Sequence, residues 1–242
     1  MPHPVNARNL LLVGGYSLLI TNRFSSSIFH PILTMTLLIS HPQRDALRLA
    51  LARNIVLRTL KPRAFQDLEK LLVIADYKKG ELLLGQGDHD MEQYFVLEGT
   101  LKRVVANQEG KEIILRFSVE DDMDTSYAAW RLRTPAPYSI RAVAKSRVAK
   151  LPMEAWVEFL DRHPSVKSDF EYEVMHLMSE VMAHTITLHL LDASGRLKRF
   201  LRKYPDLYGR IPMKELATHL NLSAETLSRM KQKKKQKEAS AR

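Results

Sequence analysis

Between Pro212 and Met230 the sequence reads PMKELATHLNLSAETLSRM, two short helical patterns set close together. Leu216, Ala217 and Leu220 lie at helical spacing on the first. Asn221 then stands where the chain must turn, and Asn tolerates a left-handed backbone better than most residues. Ser223 is placed to cap a second helix, with Glu225 in its positive first turn. Leu227 and Met230 fall on the side that packs against Leu216 and Leu220, so Ala224, Glu225, Ser228 and Arg229 are left facing outward. A helix-turn-helix requires this division of faces, its second helix offering an outer face to base edges in the major groove. The simpler alternative is an ordinary helical hairpin on which Glu225 and Arg229 form a surface i,i+4 pair.

The charge distribution bears on that choice. From Ala193 to Arg242 the chain carries 14 Lys and Arg against 4 Asp and Glu, so the whole net charge of +10 lies in this segment and residues 1–192 balance. A basic module on a neutral body is the electrostatic footprint of phosphate-backbone binding. Lys231, Lys233, Lys234, Lys235 and Lys237 would also suit a solvated tail. There is no cysteine, which excludes disulfides, thiolate zinc sites and cysteine-ligated clusters and fits a reducing, cytoplasmic location.

The length of 242 residues suits one or two domains. Asn9–Ile20 and Ser27–Ile39 are apolar but too short to span a bilayer comfortably, and no membrane role is expected. Residues 1–40 form an unassigned extension, and Met35 is a candidate for the true start of the chain. From His41 to Leu72, Pro42 and Pro62 open two helical patterns. From Val73 to Leu151 the period shortens: Glu81–Leu84, Tyr94–Leu97, Leu101–Val105 and Ile113–Phe117 are strand-like runs separated by Gly turns, the pattern of a β-barrel or sandwich. Ser165–Leu191 is a long helix with two apolar stripes. Phe170, Val174, Leu177, Val181, His184, Leu188 and Leu191 alternate by four and three, a coiled-coil seam. Met175, Met178, Met182 and Ile186 form the second stripe, expected to lie on the strand-rich unit. Burial of the seam inside one chain is the alternative.

The run Ser223–Arg229, SAETLSR, resembles the recognition helix of the cyclic-AMP receptor / fumarate–nitrate regulator (CRP/FNR) transcription factors. Lys79-Gly80-Glu81, Gly85-Gln86-Gly87-Asp88 and Tyr94–Gly99 resemble the opening of that family's cyclic-nucleotide-binding β-roll, and Asp192–Arg196 its hinge. The resemblance implies an α+β chain: short helices and a β-roll over 41–162, a dimerisation helix over 163–191, a winged-helix-type helix-turn-helix domain over 192–231 and a basic tail over 232–242. It implies base contacts by Glu225 and Arg229 with Ser228 assisting, since a carboxylate accepts from cytosine N4 and an Arg forks onto guanine. Phosphate contacts are expected from Lys214, Thr226, Lys231, Lys233 and Arg196, and a homodimer through the Phe170–Leu188 seam. Regulators of this kind often touch RNA polymerase, and no activating surface is identifiable in the sequence.

The expected nucleotide cassette is missing. Between Val119 and Arg147 there is no Gly-Glu pair, Ala136 stands where the resemblance puts the phosphate arginine, and Asp121, Asp122 and Asp124 would repel a phosphate. Val181 and Met182 replace the Thr-Ser pair that meets adenine in the cyclic-AMP branch. Cyclic AMP is therefore not the expected ligand and no cofactor is assigned, although Arg131 and Arg141 are available to another anion. His184 is open to three readings: haem ligand, proton switch or tolerated polar core residue. His89 is read as a turn residue. A sensor or adaptor signalling through a protein partner is the alternative function. A cupin-type enzyme lacks a defensible metal cluster or acid–base pair, so no enzyme is expected.

Overall fold

The computed structural model describes Leu12, Val13, Tyr16 and Ser17, then Met35 to Ala239, with side chains to Gln232. In the first unit, β1 (Leu12–Val13) pairs antiparallel with β2 (Tyr16–Ser17). The rest of the apolar run Asn9–Ile20, and residues 27–34, lie outside the described residues. No helix among the described residues is long and apolar enough to cross a membrane.

The second unit runs from Leu33 onward. β3 (Met35–Leu37) pairs with β4 (Val73–Tyr77), so residues 35–37, expected in an unassigned extension, belong to the fold. Between them lie α1 (Arg44–Leu51) and α2 (Pro62–Glu69), where the two Pro-initiated patterns were expected. The strands continue as β5 (Leu82–Leu84), β6 (Glu92–Glu98), β7 (Thr100–Ala106), β8 (Glu112–Val119) and β9 (Met123–Thr125). α3 (Tyr127–Leu132), β10 (Ser139–Ala142), β11 (Ser146–Pro152) and α4 (Met153–Asp161) complete the roll. One antiparallel sheet has the order β3-β4-β11-β6-β9, the other β5-β10-β7-β8. Gly99 makes the β6–β7 corner possible. Its φ is +95°, and a Cβ there would lie 2.4 Å from Ser146 Oγ and 2.5 Å from the Lys145 carbonyl.

Two buried features hold the roll. The first is aromatic: Trp156 of α4 meets Phe95 of β6 edge-on at 5.5 Å and stacks on Phe159 at 5.5 Å. The second is ionic. Arg103 of β7 bonds Asp124 of β9 across the interior, its Nη2 donates to Thr125 O at 3.0 Å, and Ser118 Oγ donates to the other Asp124 oxygen at 2.6 Å. Asp124 is fully buried and Tyr138 covers the guanidinium at 4.7 Å. Both ions are satisfied, the condition under which a buried pair is tolerable.

α5 (Pro164–Leu190) packs on the roll through Phe170, which meets Trp156 at 5.3 Å and Tyr127 of α3 at 5.0 Å. This corrects the expected seam. Phe170, Val174 and Leu177 lie inside the chain's own core, and Val181, His184 and Leu188 are half-buried. The stripe expected on the roll is the free one: Met175, Met178, Met182 (65% exposed) and Ile186, flanked by Tyr172 and Leu190. The 3.5-residue period marks both stripes equally, and the aromatic partner of Phe170 decides which turns inward. After Leu191 come α6 (Ala193–Lys203), α7 (Met213–His219) and α8 (Ala224–Ala239), with no strand, and so no wing, among the described residues from Asp192 on.

Removing one member of the roll's ion pair should be far worse than removing both. Asp124→Ala is expected to cost on the order of 3–5 kcal/mol, and Arg103→Met with Asp124→Leu to recover most of it, read from urea unfolding midpoints. Equal losses in the two variants would contradict this.

Candidate nucleic-acid interface

The geometry of the last three helices begins at Leu191, whose extended backbone breaks the helical path before Asp192 caps α6 by accepting from Gly195 N at 2.7 Å. Arg196, one turn on, donates from Nε to Leu191 O at 2.9 Å and from Nη1 to the carbonyls of Leu220 and Asn221 at 3.1 and 3.2 Å. The expectation that Arg196 contacts phosphate is therefore corrected. Its guanidinium is committed to carbonyls at the break and at the turn, where it neutralises otherwise unpartnered helix-end oxygens. It positions the helix pair.

The turn forms as the residue types predict. Asn221 has φ +51° and Leu222 N donates to Ala217 O at 2.9 Å. Ser223 Oγ accepts from Thr226 N at 3.1 Å, a capping bond at the head of α8. Leu216, Ala217, Leu220 and Leu227 are buried with Leu197 and Phe200 of α6 and with Leu207 and Ile211. Leu227 is fully buried and fixes the rotation of α8. The outer residues Ala224, Glu225, Ser228 and Arg229 are all exposed.

Glu225 and Arg229 do not pair with each other among the described ion pairs, so the surface-pair reading of the hairpin has no support. Arg229 Nη2 makes a long contact, 3.4 Å, to Thr226 Oγ1. The Glu225 carboxyl lies below its ordinary range because its own backbone N–H and the Ser223 hydroxyl donate to it, with Arg229 adding to the effect. It is thus an ionised acceptor at neutral pH. Lys214 is exposed, Thr226 half-buried, and Lys231 rests its ammonium 4.3 Å over the Tyr208 ring. The side chain of Lys233 lies outside the described residues.

Sequence reasoning missed how this unit sits on the roll. α7 lies against β8, joining Leu216 and Leu220 to Val104, Ile114, Phe117 and Val143 in one apolar cluster. Lys102 Nζ meets Glu215 at 2.7 Å, Arg210 grips Glu120 at 2.7 and 2.8 Å, and His219 Nδ1 donates to Ile114 O at 2.9 Å. His219, on the apolar face of α7, was the available signal. His184 stacks on it at 3.9 Å with the rings parallel to within 1°.

In the roll, Ala136 is buried and its peptide is bonded to Asp88 O and Gly87 N, both at 2.8 Å. The aspartates expected to repel a phosphate are each paired with an arginine. Asp121 pairs with Arg53 at 3.0 Å, Asp122 with Arg116 at 3.4 Å, and Asp124 with Arg103. Arg131 is exposed, and Arg141 is half-buried with Nε lacking a partner. His89 lies exposed in its turn. No group of three metal-holding side chains occurs among the described residues.

Residues 74–163 match the cyclic nucleotide-binding domain family. The cAMP-activated global transcriptional regulator CRP of Salmonella typhimurium is 22% identical over 183 residues, covering 70% of this chain and 87% of that protein. Two solved structures share the fold. FixK2 of Bradyrhizobium japonicum superposes with a TM-score of 0.60 at 16% identity, covering 69% of this chain and 86% of its own. The c-di-GMP responsive global regulator CLP of Xanthomonas campestris reaches 0.62 at 14% identity, covering 73% and 93%. With a cyclic nucleotide-binding domain, a long central helix and a helix-turn-helix in that order, the chain is similar to regulators of the CRP/FNR type.

Proposed function

We propose that the chain is a sequence-specific DNA-binding transcription regulator of the CRP/FNR type that works as a homodimer on a roughly palindromic site, in the cytoplasm. The observation that carries this reading is the presentation of α8: Leu227 anchors its inner face while Glu225, Ser228 and Arg229 project from the free outer face of its first turns. Arg229 offers a fork to guanine and Glu225 an acceptor to cytosine, with Ser228 beside them. Lys214, Lys231 and Lys233 supply phosphate contacts, and the Thr226 hydroxyl lies at the same helix end. The exposed Met175, Met178, Met182 and Ile186 stripe of α5 supplies the dimer face. α5 has 27 residues, roughly 40 Å of helix, enough for a seam several turns long.

The roll is proposed to serve as architecture rather than as a cyclic-AMP receptor. Arg103 is neutralised within the chain by Asp124 beneath the Tyr138 ring.

Arg229→Ala is expected to cost about 1–3 kcal/mol in specific affinity and to relax preference at one position of each half-site, measured by titration against a selected sequence and its single-base variants. Unchanged affinity and footprint would refute the assignment. Met182→Glu is expected to weaken self-association at least about tenfold by sedimentation equilibrium, because like charges would face each other across an apolar seam. A dimer of unchanged strength would remove α5's outer stripe from the interface.

A further inference from the structure

We propose that the His184–His219 stack is a proton-sensitive clasp, holding the helix-turn-helix unit against the β-roll at neutral pH and releasing it in acid. The inference rests on the reading of that unit as the DNA-binding part, whose placement the clasp would govern.

The two rings belong to different parts of the fold. His184 is on α5 and His219 on α7, and their centroids are 3.9 Å apart in parallel planes. His219 is 4% exposed, and the 2.9 Å contact from its Nδ1 to a carbonyl assigns the proton to that nitrogen. The ring also meets Phe117 of β8 at 5.2 Å and Phe200 of α6 at 5.6 Å, so it sits where the roll, α6 and α7 converge. His184 Nε2 is buried without a hydrogen-bond partner. Neutral rings stack here without mutual repulsion, whereas two imidazolium ions face to face would repel strongly.

Among the described residues no carboxylate is paired with either ring. The crevice beside the rings is lined by Arg116 of β8, Glu180 of α5, Arg196, Arg199 and Lys203 of α6, and Tyr204 just after it. Glu180 is the one carboxylate of that set. It is held by Lys203 at 2.7 Å and lies 3.9 Å from His176. Arg196 serves the carbonyls already described, Arg116 points to Asp122 and Met123 O, and Arg199 is exposed and positive.

The docked histidines accordingly titrate low. Burial, with a smaller contribution from Lys203 and Arg199, lowers His184 to about 4. Burial and the neighbouring His184 lower His219 to about 3, against the Ile114 carbonyl, which acts in the opposite direction. Once released, both rings return toward the ordinary value of about 6.5. The released state therefore binds more protons below that value. The clasp is at full strength above pH ~6.5 and is lost as the pH falls toward 4. The neighbouring Glu120–Arg210 pair does not open in this window: burial raises Glu120, but the Arg210 bond together with the backbone N–H groups of Glu120 and Gly99 outweighs it and keeps the carboxyl below its ordinary range.

The chain has no cysteine, so Glu109→Cys in the β7–β8 turn and Asp206→Cys after α6 give two unique positions for spin labels in the full-length protein. The distance distribution reports the docked and released populations. From pH 7.5 to 5.5 the ratio of released to docked chains should rise about tenfold per histidine, or on the order of 100-fold for both. In His184→Gln with His219→Asn, where the asparagine amide retains a donor for the Ile114 carbonyl, the change should be less than about twofold. Each single variant should retain about tenfold, which carries the test if the double variant is already released at pH 7.5. An unmoved distribution in the labelled parent, or an equal pH response in the variants, overturns the clasp. No DNA enters the measurement, so that result would leave the DNA-binding reading standing.

Discussion

Phe170 against Trp156 and Tyr127 is the contact on which the arrangement depends. It fixes which face of α5 turns to the roll, and a helix with two apolar stripes has no other means of choosing. Once that face is committed, the methionine stripe must point to solvent, and the far end of α5 carries His184 and Thr187 to the junction with the last three helices. Rotation of α5 by half a turn would bury the methionines and expose the aromatic ring. Aromatic pairing adds about 0.5–1.5 kcal/mol per pair beyond the area buried, and Phe170 makes two such pairs.

The helix-turn-helix was the most legible part of the chain. Asn221 in a left-handed turn, Ser223 at the cap and Leu227 inward against Glu225 and Arg229 outward are local consequences of residue type and a 3.6-residue period. The strand-rich unit and the two Pro-initiated helices were legible for the same reason. What local reasoning could not reach was long-range. The spacing marks both stripes of α5, but only the partner distinguishes their directions. Arg196 looked like one more cation in a basic segment, yet it spans 24 residues to bind the Leu220 carbonyl. Asp121, Asp122 and Asp124 read as an acidic surface because their arginines lie elsewhere in the sequence, Arg103 being 21 residues before Asp124.

The same internal pairing supports the reading of the roll as architecture. A roll built to receive a phosphate must keep a cation unpaired until the ligand arrives, and an unpaired buried charge is destabilising. Here Asp124 and Ser118 complete the electrostatics within the chain. The last three helices meet the roll through His219, Glu215 and Arg210.

The central claim is that α8 inserts an ordered set of side chains among nucleobases. Selection of bound sequences from a random duplex pool by the purified full-length protein, with no added nucleotide, addresses it directly. The account predicts enrichment of one motif with two inverted halves, their centres separated by roughly one turn of DNA or a multiple of it. A bound pool as random as the input, retained only through salt-sensitive attraction to the basic segment, would contradict it.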